Sequence, residues 1–196
     1  MSGETYLSQF EHRKLSIDYA EEIQDGNSIM LFINPDLVKK PLLISQALPM
    51  VEGLPDMNNN NSSEDLVKWT ARGCQTQVIL VDLLQIIANR LKKPCKIGVV
   101  ISAWDVIKNM PDENFSSMAP QDWLKENLPL FHQYLSANKG LFDYKVFGVS
   151  AQGGKYNDED NLELQKLAKQ SERIIVQTDE LVSHDITIPI DWLFQN

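Results

Sequence analysis

Two short segments hold the residue types from which a binding site could be made. Val99-Val100-Ile101-Ser102-Ala103-Trp104-Asp105 is an apolar run that stops at a hydroxyl and, three residues on, a carboxylate. Val146-Phe147-Gly148-Val149-Ser150-Ala151 stops in the same way at small residues. In an open α/β sheet, ligands bind outside the carboxyl ends of the strands. Ser102, Asp105, Ser150 and Ala151 would stand there. An aspartate after a strand also caps the next helix or turn, and taken alone that is the ordinary reading of Asp105. Other constellations carry less. His12, His132 and His184 form no H-x-H or H-E-x-x-H, so zinc or a histidine-based triad would need tertiary proximity. Asn157-Asp158-Glu159-Asp160 lacks the glycine and distal glutamate of a calcium loop, and acidic residues opening a helix explain it better. Gln152-Gly153-Gly154 is no G-x-G-x-x-G and supplies flexibility beside Ser150 and Ala151. Trp69, Trp104, Trp123 and Trp192 are scattered as core residues are, although Trp104 is also placed to stack on a ligand.

The elements that would position these residues are legible in the hydropathy pattern. Ser16 to Ile23 reads as a short helix with Ser16 as N-cap, broken by Asp25-Gly26-Asn27. Ile29 to Ile33 is continuously apolar and closes at Asn34-Pro35-Asp36, the pattern of a strand covered on both faces. Residues 37–75, with Pro41, Pro49, Pro55 and an Asn tract, read as an irregular insertion. A deeply buried helix is expected from Thr76 to Lys93, stopped by Pro94. Cys95 to Ile101 is a buried strand, Gln121 to Asn138 a helix with Gly140 beyond its end, and Tyr144 to Val149 a third strand. A further helix is expected over Asn161 to Gln170. Arg173 to Val176 is a short apolar run of either type, and Ile186, Ile188 and Ile190 lead a tail that packs down. Alternating strands and helices at these intervals imply parallel pairing by right-handed crossovers. The expected fold is a single α/β domain over residues 1–196, a three-layer sandwich with a short, mainly parallel sheet.

Composition limits the function classes. The chain has 196 residues, is 43% hydrophobic and carries a formal charge of −9, so it lacks the basic balance that nucleic acid or an anionic membrane surface requires. No window reaches the roughly 18 consecutive apolar residues of a membrane span. No basic-then-apolar signal pattern opens the chain. Cys74 and Cys95 belong to no C-x-x-C and read as reduced thiols, which fits a cytoplasmic protein.

The two strand ends, taken together, resemble the base-recognition motifs of P-loop GTPases, N/S-K-x-D and S-A, on consecutive parallel strands. Ser102-Ala103-Trp104-Asp105 matches the first with alanine in place of lysine, and Ser150-Ala151 matches the second. Ser2-Gly3-Glu4 resembles the end of a D-x-x-G-E switch motif whose aspartate would fall just before Met1. That version is typical of the double-GTPase families of bacterial conflict systems, in the translation-factor-related class. The resemblance runs from this clipped switch motif to the last helix. It implies that Asp105 accepts two hydrogen bonds from guanine N1–H and N2–H2, that the Ala151 N–H bonds guanine O6, and that the Gly3 N–H meets a γ-phosphate. Ala103 cannot supply the lysine stem that lies against the base. No G-x-x-x-x-G-K-S/T occurs in these residues, so the phosphate-cradling loop and its lysine are missing. The resemblance therefore implies a GTPase-like regulatory module with guanine contacts (GTP or GDP) at Ser102, Asp105, Ser150, Ala151 and Gly3. No hydrolysis is expected of it alone, and Mg²⁺ only in a completed site. A protein partner or an amino-terminal half would complete the sheet, and a homo-oligomer through the edge strand is a further expectation. The alternative, favoured by Ala103 and the missing loop, is a non-catalytic protein-interaction module acting in a complex. An unrelated small α/β enzyme would need a nucleophile–base pair that the sequence does not display.

Overall fold

The computed structural model describes residues 3–14, 17–26, 28–41, 70–110, 117–154, 166–167 and 169–195. Two helices open the chain, α1 (Gly3–His12) and α2 (Ile17–Asp25), and lead into strand β1 (Ser28–Ile33). After the insertion come α3 (Thr76–Ala88), β2 (Cys95–Ser102), the short α4 (Trp104–Lys108), α5 (Pro120–Asn127), α6 (Pro129–Ala137) and β3 (Phe142–Ser150). Two short strands, β4 (Ile175–Gln177) and β5 (Val182–Ser183), and helix α7 (Ile188–Phe194) complete the described fold.

The sheet has five strands in the order β1-β2-β3-β4-β5. The first three are parallel, with Ile33 opposite Ile101 and Ser102 opposite Val149. The last two pairings are antiparallel. The α/β sandwich with a mainly parallel start is thus as expected, and the run at Arg173–Val176 resolves into the first antiparallel strand. Among the described residues β1 is the edge.

One face of the sheet carries the core. Leu31 and Ile33 of β1, Ile97, Val99 and Ile101 of β2, and Phe142 and Val146 of β3 pack with Leu83, Leu84 and Ile87 of α3. Trp123, Leu124, Leu128, Phe131 and Leu135 of the α5–α6 region join the same cluster. The other face is covered at its centre by α7. Leu193 lies over Gly98, the Trp192 ring meets Phe147 with centroids 6.0 Å apart, and Lys96 Nζ donates to the Trp192 carbonyl at 3.3 Å. Lys96 so anchors the C-terminal end of α7, where a cation is favoured. The tail packs down as a helix through Trp192 and Leu193, whereas Ile186 and Ile190, expected to lead it inward, are exposed.

Several local expectations are corrected. β1 is not covered on both faces, because Phe32 is 65% exposed at the open side of the sheet. α3 ends at Ala88 rather than Lys93. The Arg90 and Leu91 amides both turn back to the Ile87 carbonyl, at 2.9 and 3.1 Å. Leu91 still packs against the core, so the apolar stripe continues past the helix that the spacing implied. The single helix expected over 121–138 is two. Leu128, preceding Pro129, leaves the helical region (φ −133°, ψ 57°), as a residue before proline is biased to do. A break this short keeps both apolar faces on the same core. The freed amide of Leu130 finds an acceptor in the buried Gln77 side chain of α3, at 2.9 Å.

The ends of the insertion are tied together. Lys39 N–H donates to Thr76 Oγ1 at 2.9 Å and Thr76 N–H donates to the Lys39 carbonyl at 3.2 Å, while Lys39 Nζ bonds the Arg72 carbonyl. Residues 42–69, including Pro49, Pro55 and the Asn tract, lie outside the described residues, as do Ser16, Asn157–Asp160 and most of the 161–170 stretch. Gln170 itself opens a 3-10 turn, Gln170–Arg173. Among the described residues no helix is long and apolar enough to cross a membrane.

Candidate functional site

The carboxyl ends of the three parallel strands meet at one edge of the sandwich. β1 ends at Ile33, followed by Asn34, whose Oδ1 accepts the Asp36 N–H at 3.0 Å and bends the chain into a proline turn. β2 ends at Ser102, whose hydroxyl donates to the Ile33 carbonyl at 3.2 Å. Ser102 therefore ties two strand ends together, which gives it a structural task as well as its place in the motif. β3 ends at Ser150, fully buried, with its Oγ accepting the Gly153 N–H at 2.8 Å. That bond curls the loop back on itself, and Gly153 meets the demand with φ 75°, a region that glycine enters freely. Ala151 is exposed in the bend that follows.

Between Ser102 and Asp105 the chain makes a tight left-handed step. Ala103 has φ 52° and ψ 44°, a conformation that costs an L-residue roughly 1–2 kcal/mol. Such a residue persists only where its surroundings over-determine it. Trp104 supplies that constraint. Its side chain is fully buried and its Nε1–H donates to Gln177 Oε1 at 2.9 Å. The ring lies directly on the β3 backbone at Gly148, where a β-carbon would come within 2.4 Å of Trp104 Cδ2. Lys108 Nζ stands 6.0 Å from the ring centroid, and its burial lowers the Lys108 pKa. Trp104 is thus a core residue and is not available to stack on a ligand.

Asp105 is the second residue of α4 and half-buried. It is not the N-cap, a position held by Ala103 without any side-chain cap bond. Among the described residues its carboxylate has no hydrogen-bond partner, so the capping explanation does not account for it. A carboxylate in the first turn of a helix sits in a favourable field.

Gly3 is elsewhere in the chain's architecture. It opens α1, which packs against α3 and the 3-10 turn Ala71–Gly73. The register brings Ser102, Asp105 and Ser150–Ala151 to the same end of the sheet, whereas no described bond connects Gly3 to them. Asn34 and Asp36 share that end of the sheet, and the Asn-Pro-Asp that closes β1 was the only signal of it in the sequence.

Along the free edge of β1 runs an apolar groove of about 300 Å³. Tyr6 and Leu7 of α1, Met30 to Phe32 of β1, and Ile79, Leu80 and Leu83 of α3 line it. A second cleft lies beside β3 between Lys139, Tyr144 and the turn at Asp179–Glu180. Tyr144 Oη is engaged there with Gln121 Nε2 at 3.1 Å and Ser136 Oγ at 3.0 Å. Among the described residues no group of three or more His, Cys, Asp or Glu side chains is arranged to hold a metal ion.

No curated protein and no solved structure matches this chain. A family description does. Residues 1–193 match the Double-GTPase 1 family, nearly the whole length, in accord with the α/β sheet, and the chain belongs to that family.

Proposed function

We propose that this GTPase-related chain is the base-contacting part of a guanine-nucleotide switch whose phosphate-binding part comes from a further polypeptide segment. The single observation that carries the reading is Asp105, a carboxylate without a described partner, fixed on a strained turn at the carboxyl end of the sheet. A pair of parallel N–H donors on a planar base would satisfy it. Adenine offers no such pair, so losing the match in a closed site would be expensive. Ser150 holds the following loop so that the Ala151 amide can meet the base oxygen. Gly3, at the start of α1, has an amide without an intrahelical acceptor and would face a phosphate once that half is present.

The residues fit a nucleotide at the base end only. Phosphoryl transfer needs loop amides, a lysine, a Mg²⁺-holding hydroxyl and a positioned water. These residues contain no G-x-x-x-x-G-K-S/T, so no hydrolytic step is derived for them, and Mg²⁺ would be held only by a completed site. The groove along the free edge of β1, with Phe32 exposed, supports completion there by a strand of a second chain or of an amino-terminal half. Such a complex would act in the cytoplasm, in the regulatory setting of conflict systems that the motif resemblance implies.

A second reading, a protein-interaction module without nucleotide, is favoured by Ala103 and by the burial of Trp104. Neither side chain can lie against a base. Titration with labelled GTP and ATP decides between the two, with Asp105→Ala as control and mass by light scattering on the same samples. Guanine-selective binding that Asp105→Ala abolishes supports the switch. Absence of binding in a stable dimer or hetero-complex supports the interaction module.

A further inference from the structure

We infer that Trp104, held by Gln177, is the positioning residue that sets the direction of the Asp105 carboxylate; the inference rests on the guanine-contact reading above. The turn that carries Asp105 has two anchors. Upstream, Ser102 Oγ is bonded to the Ile33 carbonyl. Downstream, the whole indole of Trp104 is enclosed, with its N–H on Gln177 Oε1 at 2.9 Å. Ala103 between them is held at φ 52°, which a free turn would abandon.

The anchor is built from one cross-strand pair. Gly148 of β3 and Gln177 of β4 are direct partners in the antiparallel ladder. Gly148 provides the floor on which the ring lies, and Gln177 provides the acceptor at the ring's polar corner. A phenyl ring would keep much of the apolar contact, but it has no N–H to donate to Gln177. Helix α4 has only five residues and is too short to orient Asp105 by its own hydrogen bonds. The direction of the carboxylate is therefore passed down from β4 through the indole. A binding group must stand within about 0.5 Å of its working position, so loosening the indole costs base discrimination before it costs the fold.

The experiment compares Gln177→Met, which keeps the volume and removes the acceptor, with Gln177→Glu, which keeps an acceptor. The full chain is titrated with labelled GTP and ATP, and urea unfolding is recorded on each variant. The parent is expected to prefer guanine, Gln177→Met to lose that preference by roughly fivefold or more, and Gln177→Glu to retain it. Trp104→Phe, which keeps a ring without the N–H, gives the same readout should Gln177→Met fail to fold. A guanine preference unchanged in Gln177→Met and Trp104→Phe overturns the positioning role and leaves Trp104 as core alone. A parent without guanine preference, or with one indifferent to Asp105→Ala, overturns the guanine reading itself and this inference with it.

Discussion

Gly148→Ala puts two physical expectations in opposition. By strand preference alone, alanine in place of an interior glycine gains roughly 0.5–1 kcal/mol. The structure says otherwise, because the new methyl would stand 2.4 Å from Trp104 Cδ2 and 2.6 Å from Cε2 and Cγ. Real carbon atoms need another ångström or more, and β3 cannot retreat, paired as it is on both sides at this point. The ring has to move, at an overpacking cost of about 1–3 kcal/mol. Movement also breaks the indole bond to Gln177, for about 0.5–1.5 kcal/mol more. Set against the propensity gain, these terms leave a net loss of about 0.5–4 kcal/mol, centred near 2 kcal/mol. With a urea slope near 2 kcal/mol per molar, the central value lowers the midpoint by about 1 M. Urea unfolding followed by far-ultraviolet circular dichroism measures this directly. The same substitution in a Trp104→Leu background isolates the clash, since its cost should then drop below about 1 kcal/mol, a coupling of about 2 kcal/mol between touching residues. A midpoint that stays or rises in the single variant, or an equal loss in both backgrounds, would refute the packing argument.

Gln77→Ala leaves the Leu130 amide without its acceptor at the start of α6, and urea unfolding should register a loss of about 1–3 kcal/mol. Cys95 is buried and its thiol is pushed up to about 11 by that burial, whereas Cys74 is half-buried. A thiol reagent at pH 8 should label Cys74 in the native protein and Cys95 only on unfolding. The raised thiol also sets a sign. Its contribution to stability is full below about pH 9 and lost as pH rises through about 11, and Cys95→Ala should remove that slope. His132 works in the opposite sense. Burial, then Lys125 and Lys139, lower its pKa, so the fold resists its protonation. Stability should fall as pH drops below the usual histidine range, about 6.5, and His132→Gln should flatten that decline in pH-dependent thermal unfolding.

By itself the sequence determined the three parallel strands and the helix type between them, because continuous apolar runs bounded by Gly, Pro and small polar residues have few other uses. It also located Ser102, Asp105, Ser150 and Ala151 at strand ends, since those breaks fall where each apolar run stops. The ends of helices were less legible. Leu91 keeps the stripe alive beyond Ala88, and Leu128 continues one across Pro129, because side chains outside a helix can fill the same core as those inside it. What only the tertiary structure decided concerns contacts between residues far apart in the chain. The ring of Trp104 could have stacked on a ligand until Gly148 and Gln177, 44 and 73 positions away, were seen to enclose it. The left-handed Ala103 is held between that enclosure and the Ser102 bond to Ile33. The exposed Phe32 edge likewise reads as buried from composition alone, because apolarity reports what a strand would bury and not whether the covering element is present.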